Sequence, residues 1–239
     1  SALWQRSYPA GSQNKDIALL YRSNDECVKS VNSFKKLGIP YNAKVDKKKL
    51  EADSISILLQ AIVVAVASDD NLLSKSIMVR YTEPKYTAAR IISDRLRALD
   101  VDRQSAKKWL DSIPNVKRIE ELRDVIKGQS IAKAIETIIV EFNIEDLIKR
   151  IDPMAKAYKY CNDLLSSAVT YESLCLNLNL DCSIFGFAKY LEDYPILPMG
   201  DDDGVVVSNY HKCKGLEWKC VILNSLSNEK ICIILCRNG

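Results

Sequence analysis

Residues 205–223 read Val-Val-Val-Ser-Asn-Tyr-His-Lys-Cys-Lys-Gly-Leu-Glu-Trp-Lys-Cys-Val-Ile-Leu. Val205–Ser208 is a short β-branched run and Cys220–Leu223 is an apolar one. Runs of this length with no polar alternation fit strands covered on both faces, as in a parallel sheet. Between them His211–Trp218 is a polar turn with room for one helical turn. It holds the only histidine of the chain, His211, with Lys212, Lys214, Gly215 and Glu217. Loops at the ends of parallel strands are where such sheets meet ligands. By composition alone the segment also reads as a solvated turn. No serine or cysteine is spaced to use the histidine as a base.

The N-terminal part has the same texture. Asp16–Tyr21 is an apolar strand, and Ser23, Asn24 and Asp25 offer helix caps. Val28, Val31, Phe34 and Leu37 recur at helical spacing, Gly38 ends that helix, and Ile39-Pro40-Tyr41-Asn42 begins an extended stretch. From Leu50 to Tyr194 the pattern is helical. Helices are predicted over Leu50–Ser68, Leu72–Tyr81, Thr87–Asp100, Gln104–Ser112, Val116–Lys127, Ile131–Glu141, Glu145–Ile151, Met154–Leu176 and Ser183–Tyr194. Pro195, Pro198 and Gly200–Gly204 read as a linker, and Ile231–Leu235 as a further strand. The expected fold is an α/β sheet interrupted by an all-α inserted domain. Its α/β part spans 1–45 and 203–239, and its helical part 46–202. Neither α/β flank alone has enough strands for a covered sheet, so the two should fold together.

Composition sets outer limits. Hydrophobic residues are 47% and charged residues 27%, which excludes general disorder. Eight glycines in 239 residues leave few tight turns and argue against an all-β fold. A net charge of +3 does not mark a nucleic-acid binder in bulk and leaves room for a local basic patch. The longest apolar run, Ile57–Ala67, is too short to span a bilayer, and the start has no secretory pattern, so a soluble cytoplasmic protein is expected. The eight cysteines form no Cys-x-x-Cys pair, and one histidine gives poor support for zinc. They are expected to act as small buried hydrophobes.

As a string, residues 206–223 closely resemble motif V of superfamily-one DNA helicases of the UvrD/Rep/PcrA type. That pattern is an apolar strand, Thr-x-His, small or basic residues, Lys-Gly-Leu-Glu-aromatic, then another apolar strand. His211, Lys214, Gly215, Leu216, Glu217 and Trp218 match, and Asn209 stands in place of the threonine. Ile17–Asn24, ending in Tyr-Arg-Ser-Asn, looks like the family's motif IVa, and Gly38-Ile-Pro-Tyr41 follows it. Glu51–Tyr81 and Asn162–Leu191, with Phe187–Leu191, are similar to parts of the inserted helical subdomain. The sequence contains no Gly-x-x-x-x-Gly-Lys-[Ser/Thr], no strand ending in paired acids, and no arginine-bearing motif VI; Ile231–Gly239 does not resemble the last. The stretch Arg80–Thr87 lacks the glycine turn that the family uses on duplex DNA.

The resemblance implies an incomplete second RecA-like domain with its helical insertion, part of an ATP-dependent DNA helicase and inactive alone. ATP and Mg2+ would belong to the full-length parent. Partners would be single-stranded DNA and the missing first RecA-like domain. Arg22, with a guanidinium fork suited to phosphate, Asn24, His211, Lys212 and Lys214 would meet DNA. Gly215 and Glu217 would serve the nucleotide, with Glu217 on the ribose. The bland readings are a surface cation for Arg22, a core residue for Trp218, and a solvated run for Lys44, Lys47, Lys48 and Lys49. Two other parents share the pattern: an AddA/RecB-type helicase–nuclease, and a truncated homologue that binds DNA or protein without motor activity.

Overall fold

A computed structural model describes residues 13–45, 53–83, 87–98, 100–153, 155–196 and 200–224, and the backbone of 233–236. The chain divides into two compact units. One is made from both ends of the chain, Ser1–Glu51 with Met199–Gly239, and the other is Ala52–Pro198.

The first unit is a five-stranded sheet. Its strands are β1 (Ile17–Tyr21), β2 (Tyr41–Lys44), β3 (Val205–Asn209), β4 (Cys220–Leu223) and β5 (Ile233–Cys236), in the order β2-β3-β1-β4-β5. The first four are mutually parallel and β5 runs antiparallel to β4. β1 and β2 are joined by helix α1 (Asn24–Leu37), yet they are not neighbours. β3, which follows the helical block in sequence, lies between them and pairs with both, Leu19 opposite Val207 and Ala43 opposite Val207. The position between β1 and β2 is therefore filled only when the chain returns.

Alternation sorts the side chains to two faces. Ile17, Val205 and Cys220 form one buried cluster, with Leu19, Ile222 and Phe34 of α1 packed on it. Ala18, Leu20, Val206 and Cys213 form the other, with Tyr210, Trp218, Val221 and Leu223. α1 ends at Gly38, in the left-handed region at φ 65, with Lys35 and Lys36 in the last turn. The returning chain runs against β2: the Asp201 N–H donates to the Tyr41 carbonyl, and the Val205 N–H to that of Pro40. A Cβ on Gly204 would collide with the Tyr41 backbone, so this approach needs glycine.

The second unit holds nine described helices: α2 (Ser54–Ala67), α3 (Leu72–Thr82), α4 (Thr87–Arg97), α5 (Arg103–Asp111), α6 (Pro114–Ile126), α7 (Ile131–Glu141), α8 (Ile144–Ile151), α9 (Ala157–Leu178) and α10 (Ile184–Asp193). α2 buries Leu58, Leu59, Ile62, Val63 and Val66, so it is apolar on more than one side. Its first turn differs from the sequence expectation. Asp53 is the cap, accepting from the Ser56 N–H at 2.8 Å and from the Tyr160 hydroxyl at 2.7 Å; Leu50 and Glu51 lie outside the described residues. Of Asp69-Asp70-Asn71, only Asn71 caps α3. Asp69 instead accepts from Lys75, Lys107 and Arg123, and Lys75 is 1% exposed. Among the described residues Cys27, Cys161, Cys175, Cys213 and Cys220 are buried free thiols and Cys182 is exposed. No described helix is long and apolar enough to cross a membrane.

Candidate functional site

The edge of the sheet at the C-terminal ends of β1 and β3 gathers most of the residues singled out by sequence. Tyr21 pairs with Asn209, so Arg22 and His211 each leave the sheet just past neighbouring strand positions. Across that gap the Asn209 side-chain amide donates to the Asn24 Oδ1 at 2.7 Å, joining residues 185 apart in sequence. The Asn209 Oδ1 accepts the Lys212 N–H at 2.9 Å and shapes the 3-10 turn Tyr210–Cys213 that carries His211 and Lys212 outward. The Tyr210 hydroxyl donates to the Asn224 carbonyl, tying the turn to the exit of β4. Asn209 is thus the organising residue of this edge, although by sequence it reads only as a departure from threonine. The signal that points to it is its place at the end of a strand, three residues before Lys212, where Asn commonly caps a turn.

Arg22, His211, Lys212 and Lys214 are exposed, and no ion pair engages them among the described residues. Arg22, Lys212 and Lys214 are available cations, and all four side chains can donate to an anionic ligand. The start of α1 is less open than its sequence implies. Ser23 caps the helix in a reciprocal box with Glu26, whose carboxylate accepts from the Ser23 N–H at 3.2 Å and hydroxyl at 3.0 Å. Asp25 and Glu26 put negative charge at that helix end. A phosphate contact here must come from Arg22 and the 3-10 turn, not from bare helix amides. Beneath the edge, burial pushes the Cys27 thiol up to about 11, so it stays a neutral packing group at pH 7.

Glu217 does not join this group. It precedes β4 and so stands at the opposite edge of the sheet, which five-residue β1 separates by roughly 16 Å at about 3.3 Å per residue. There an open cleft of about 250 Å³ is lined by Lys15, Asp16, Glu217, Trp218 and Lys219. Asp16 is held below its ordinary range by the Gln13 N–H and then by Lys219, whose Nζ lies 2.9 Å away. Trp218 is half-buried on the Ala18–Leu20 cluster, the core role expected of it. Lys214 and Gly215 lie between the two edges, Gly215 at φ 86, where a side chain would be strained. Asp16, Lys15 and Lys219 do not stand out by sequence, because nothing in their spacing reveals that β1 and β4 enter the sheet side by side. No cluster of potential metal ligands occurs among the described residues.

The chain matches no established family profile. It is similar, at 24% identity over 241 residues, to an ATP-dependent helicase/nuclease subunit from Geobacillus thermodenitrificans (strain NG80-2), covering 89% of this chain. It is 22% identical over 245 residues to the ATP-dependent helicase/nuclease subunit of the same name from Geobacillus kaustophilus (strain HTA426), covering 92%. In both cases the chain spans only 19% of the relative's length.

Proposed function

We propose that this chain is a piece of the motor of an ATP-dependent DNA helicase: part of the second RecA-like domain and the helical domain inserted into it. The Asn24–Asn209 bond carries the reading. It joins two segments that resemble separate helicase motifs, 185 residues apart, at one edge of one sheet. Arg22, His211, Lys212 and Lys214 serve the phosphates of single-stranded DNA, with Asn24 positioning the edge. Contacts of this kind hold the strand without reading its sequence. Glu217 serves the nucleotide from the opposite edge, where the Trp218 cleft offers a carboxylate for a ribose hydroxyl and lysines for phosphate, and Gly215 serves it through the backbone turn that leads there. ATP and Mg2+ act in the full-length parent, with its first RecA-like domain completing the cleft.

Of the possible parents, the helicase–nuclease kind is favoured over a helicase alone, because both relatives carry that name. A nuclease domain encoded downstream in the same reading frame is the observation that separates them. The function is tested by binding of fluorescein-labelled oligo-dT to the purified chain, read as anisotropy over a salt series, alongside DNA-stimulated ATP turnover. Weak, salt-sensitive binding with no turnover is expected. Turnover by the chain alone, or binding indifferent to salt, refutes the assignment.

A further inference from the structure

Lys212, Asn209 and Asn24 form a chain of hydrogen bonds whose direction is set from one end. A backbone N–H can only donate, and that of Lys212 donates to the Asn209 Oδ1 at 2.9 Å. With its oxygen on Lys212, the Asn209 amide turns its nitrogen the other way. That nitrogen donates to the Asn24 Oδ1 at 2.7 Å. Asn209 is 8% exposed. Turning its amide over would set two donors against each other at one end and two acceptors at the other, with little water to relieve either.

Asn24 inherits this direction. Its oxygen is held by Asn209, so its side-chain nitrogen points away from Asn209. No described residue accepts from that nitrogen. Among the described residues the buried side-chain polar atom without a partner is Thr82 Oγ1, so the Asn24 Nδ2 reaches solvent. Asn24 is the first residue of α1 and follows Arg22 by two positions. One buried amide thus governs both the turn that carries Lys212 and the amide next along the chain from Arg22.

We propose that Asn209 is a positioning residue that fixes the Asn24 amide as an outward hydrogen-bond donor, and that the Asn24 Nδ2 donates to a phosphate oxygen of single-stranded DNA alongside Arg22 and Lys212. The ligand rests on the DNA reading of this edge, whereas the direction of the relay does not. A phosphate oxygen only accepts, so every group that meets it must donate. An Asn24 amide turned the other way would face the phosphate with its own oxygen and repel it.

Reversing the relay tests the assignment. Asn209→Asp offers an acceptor at both ends. The Lys212 N–H keeps its partner, but Asn24 must turn its nitrogen inward and its oxygen out. Binding of oligo-dT to the full chain is read as anisotropy at one low salt concentration for the unaltered protein, Asn24→Ala, N209D and the double variant. In the unaltered background Asn24→Ala should weaken binding about fivefold. In the N209D background it should weaken binding less than about twofold, because the donor has already been turned away. The charge added by N209D is common to both members of that comparison and cancels. Equal weakening in the two backgrounds, or none in either, would overturn the proposal.

Side-chain amide exchange by NMR reads the direction without DNA and without N209D, which keeps the test decisive should that variant fold poorly. Asn24→Ala and Asn209→Ala identify the two NH2 groups. In the unaltered chain the Asn209 group should exchange at least about tenfold more slowly than the Asn24 group, and oligo-dT should slow the Asn24 group. An Asn24 group already protected without DNA, or equal exchange of the two, would refute the relay. If the unaltered chain does not bind oligo-dT, the DNA reading falls and with it the ligand named here, while the exchange rates still decide the relay.

Discussion

Replacing Asp69 by asparagine removes the charge at the centre of the helical unit's ion network. Asp69 accepts from Lys75 at 2.8 Å, Lys107 at 3.1 Å and Arg123 at 3.2 Å. Lys75 is the sensitive partner: at 1% exposure its ammonium would be left with Asp111 at 3.0 Å. Breaking a buried ion pair costs about 3–5 kcal/mol. Here Asp69 is 46% exposed and Asp111 remains, so solvent screening reduces the expected loss to about 2 kcal/mol. Arg123 adds little to that figure, because it keeps its bonds to the Ala65 and Val66 carbonyls. Urea unfolding of the whole chain at pH 7 measures it. Asp70→Asn is the control, at 91% exposure and 3.5 Å from Lys107, with an expected change under about 0.5 kcal/mol.

The pH dependence gives a second reading of the same group. Hydrogen bonds from Lys75 and then Lys107 hold the Asp69 carboxyl well below the usual carboxylate range in the folded chain. A depressed folded value means that the stabilisation is complete above the unfolded value, roughly 3.9, and is lost as pH falls through the folded one. The gap between wild type and Asp69→Asn should hold from pH 7 to 5 and shrink by about 1 kcal/mol by pH 3. A variant as stable as wild type at pH 7, or a gap that does not change at pH 3, would show that the network does not stabilise the unit.

The remaining predictions concern the sheet and its edge. Gly204→Ala should lower stability by about 3 kcal/mol in thermal or urea melts, since its Cβ would force the Tyr41 backbone away from β3. Asn209→Ala should cost about 1–2 kcal/mol by losing the Asn24 bond and the Lys212 turn contact, and Asn209→Thr should recover part of it. Arg22→Ala and Lys212→Ala should each reduce the slope of log affinity for oligo-dT against log salt by about 1, without altering sequence preference. An unchanged slope in both would refute the assignment of this edge to DNA.

The helical block is legible in the sequence because its signals are local. The sequence stripe Ile131, Ile135, Ile138 and Ile139 falls on α7, the first three buried and Ile139 partly buried against the same core, and Ser130 caps the helix. The strands are equally plain, but their order is not. β3 inserts between β1 and β2 through pairing that depends on residues far apart in sequence, and no local pattern encodes it. The site divides the same way. His211 and Arg22 stand out as residue types in quotable strings. Asn209 looks like an imperfect threonine, although the structure gives its amide two partners that a hydroxyl would not reach together. Lys75 is hidden for a similar reason: a lysine on a helix reads as solvated until Asp69 and Asp111 are brought to it by the packing of α3 with α5.

The crossover explains why both edges of the sheet are polar and yet ordered. Parallel strands are usually joined by a helix that covers one face of the sheet, which needs a dozen or more residues. Residues 210–219 have no room for that helix, so the connection must cover the face with its own side chains. Tyr210, Cys213 and Trp218 turn inward onto Ala18, Leu20 and Val206. Their inward turn leaves His211, Lys212, Lys214 and Glu217 facing out at fixed places along the path. The Tyr210 bond to Asn224 holds one end, and Trp218 against the sheet holds the other. A charged loop that was merely solvated would not carry three inward residues at this spacing. The apolar members of the segment therefore position its polar ones, Tyr210 and Cys213 those at one edge of the sheet and Trp218 those at the other.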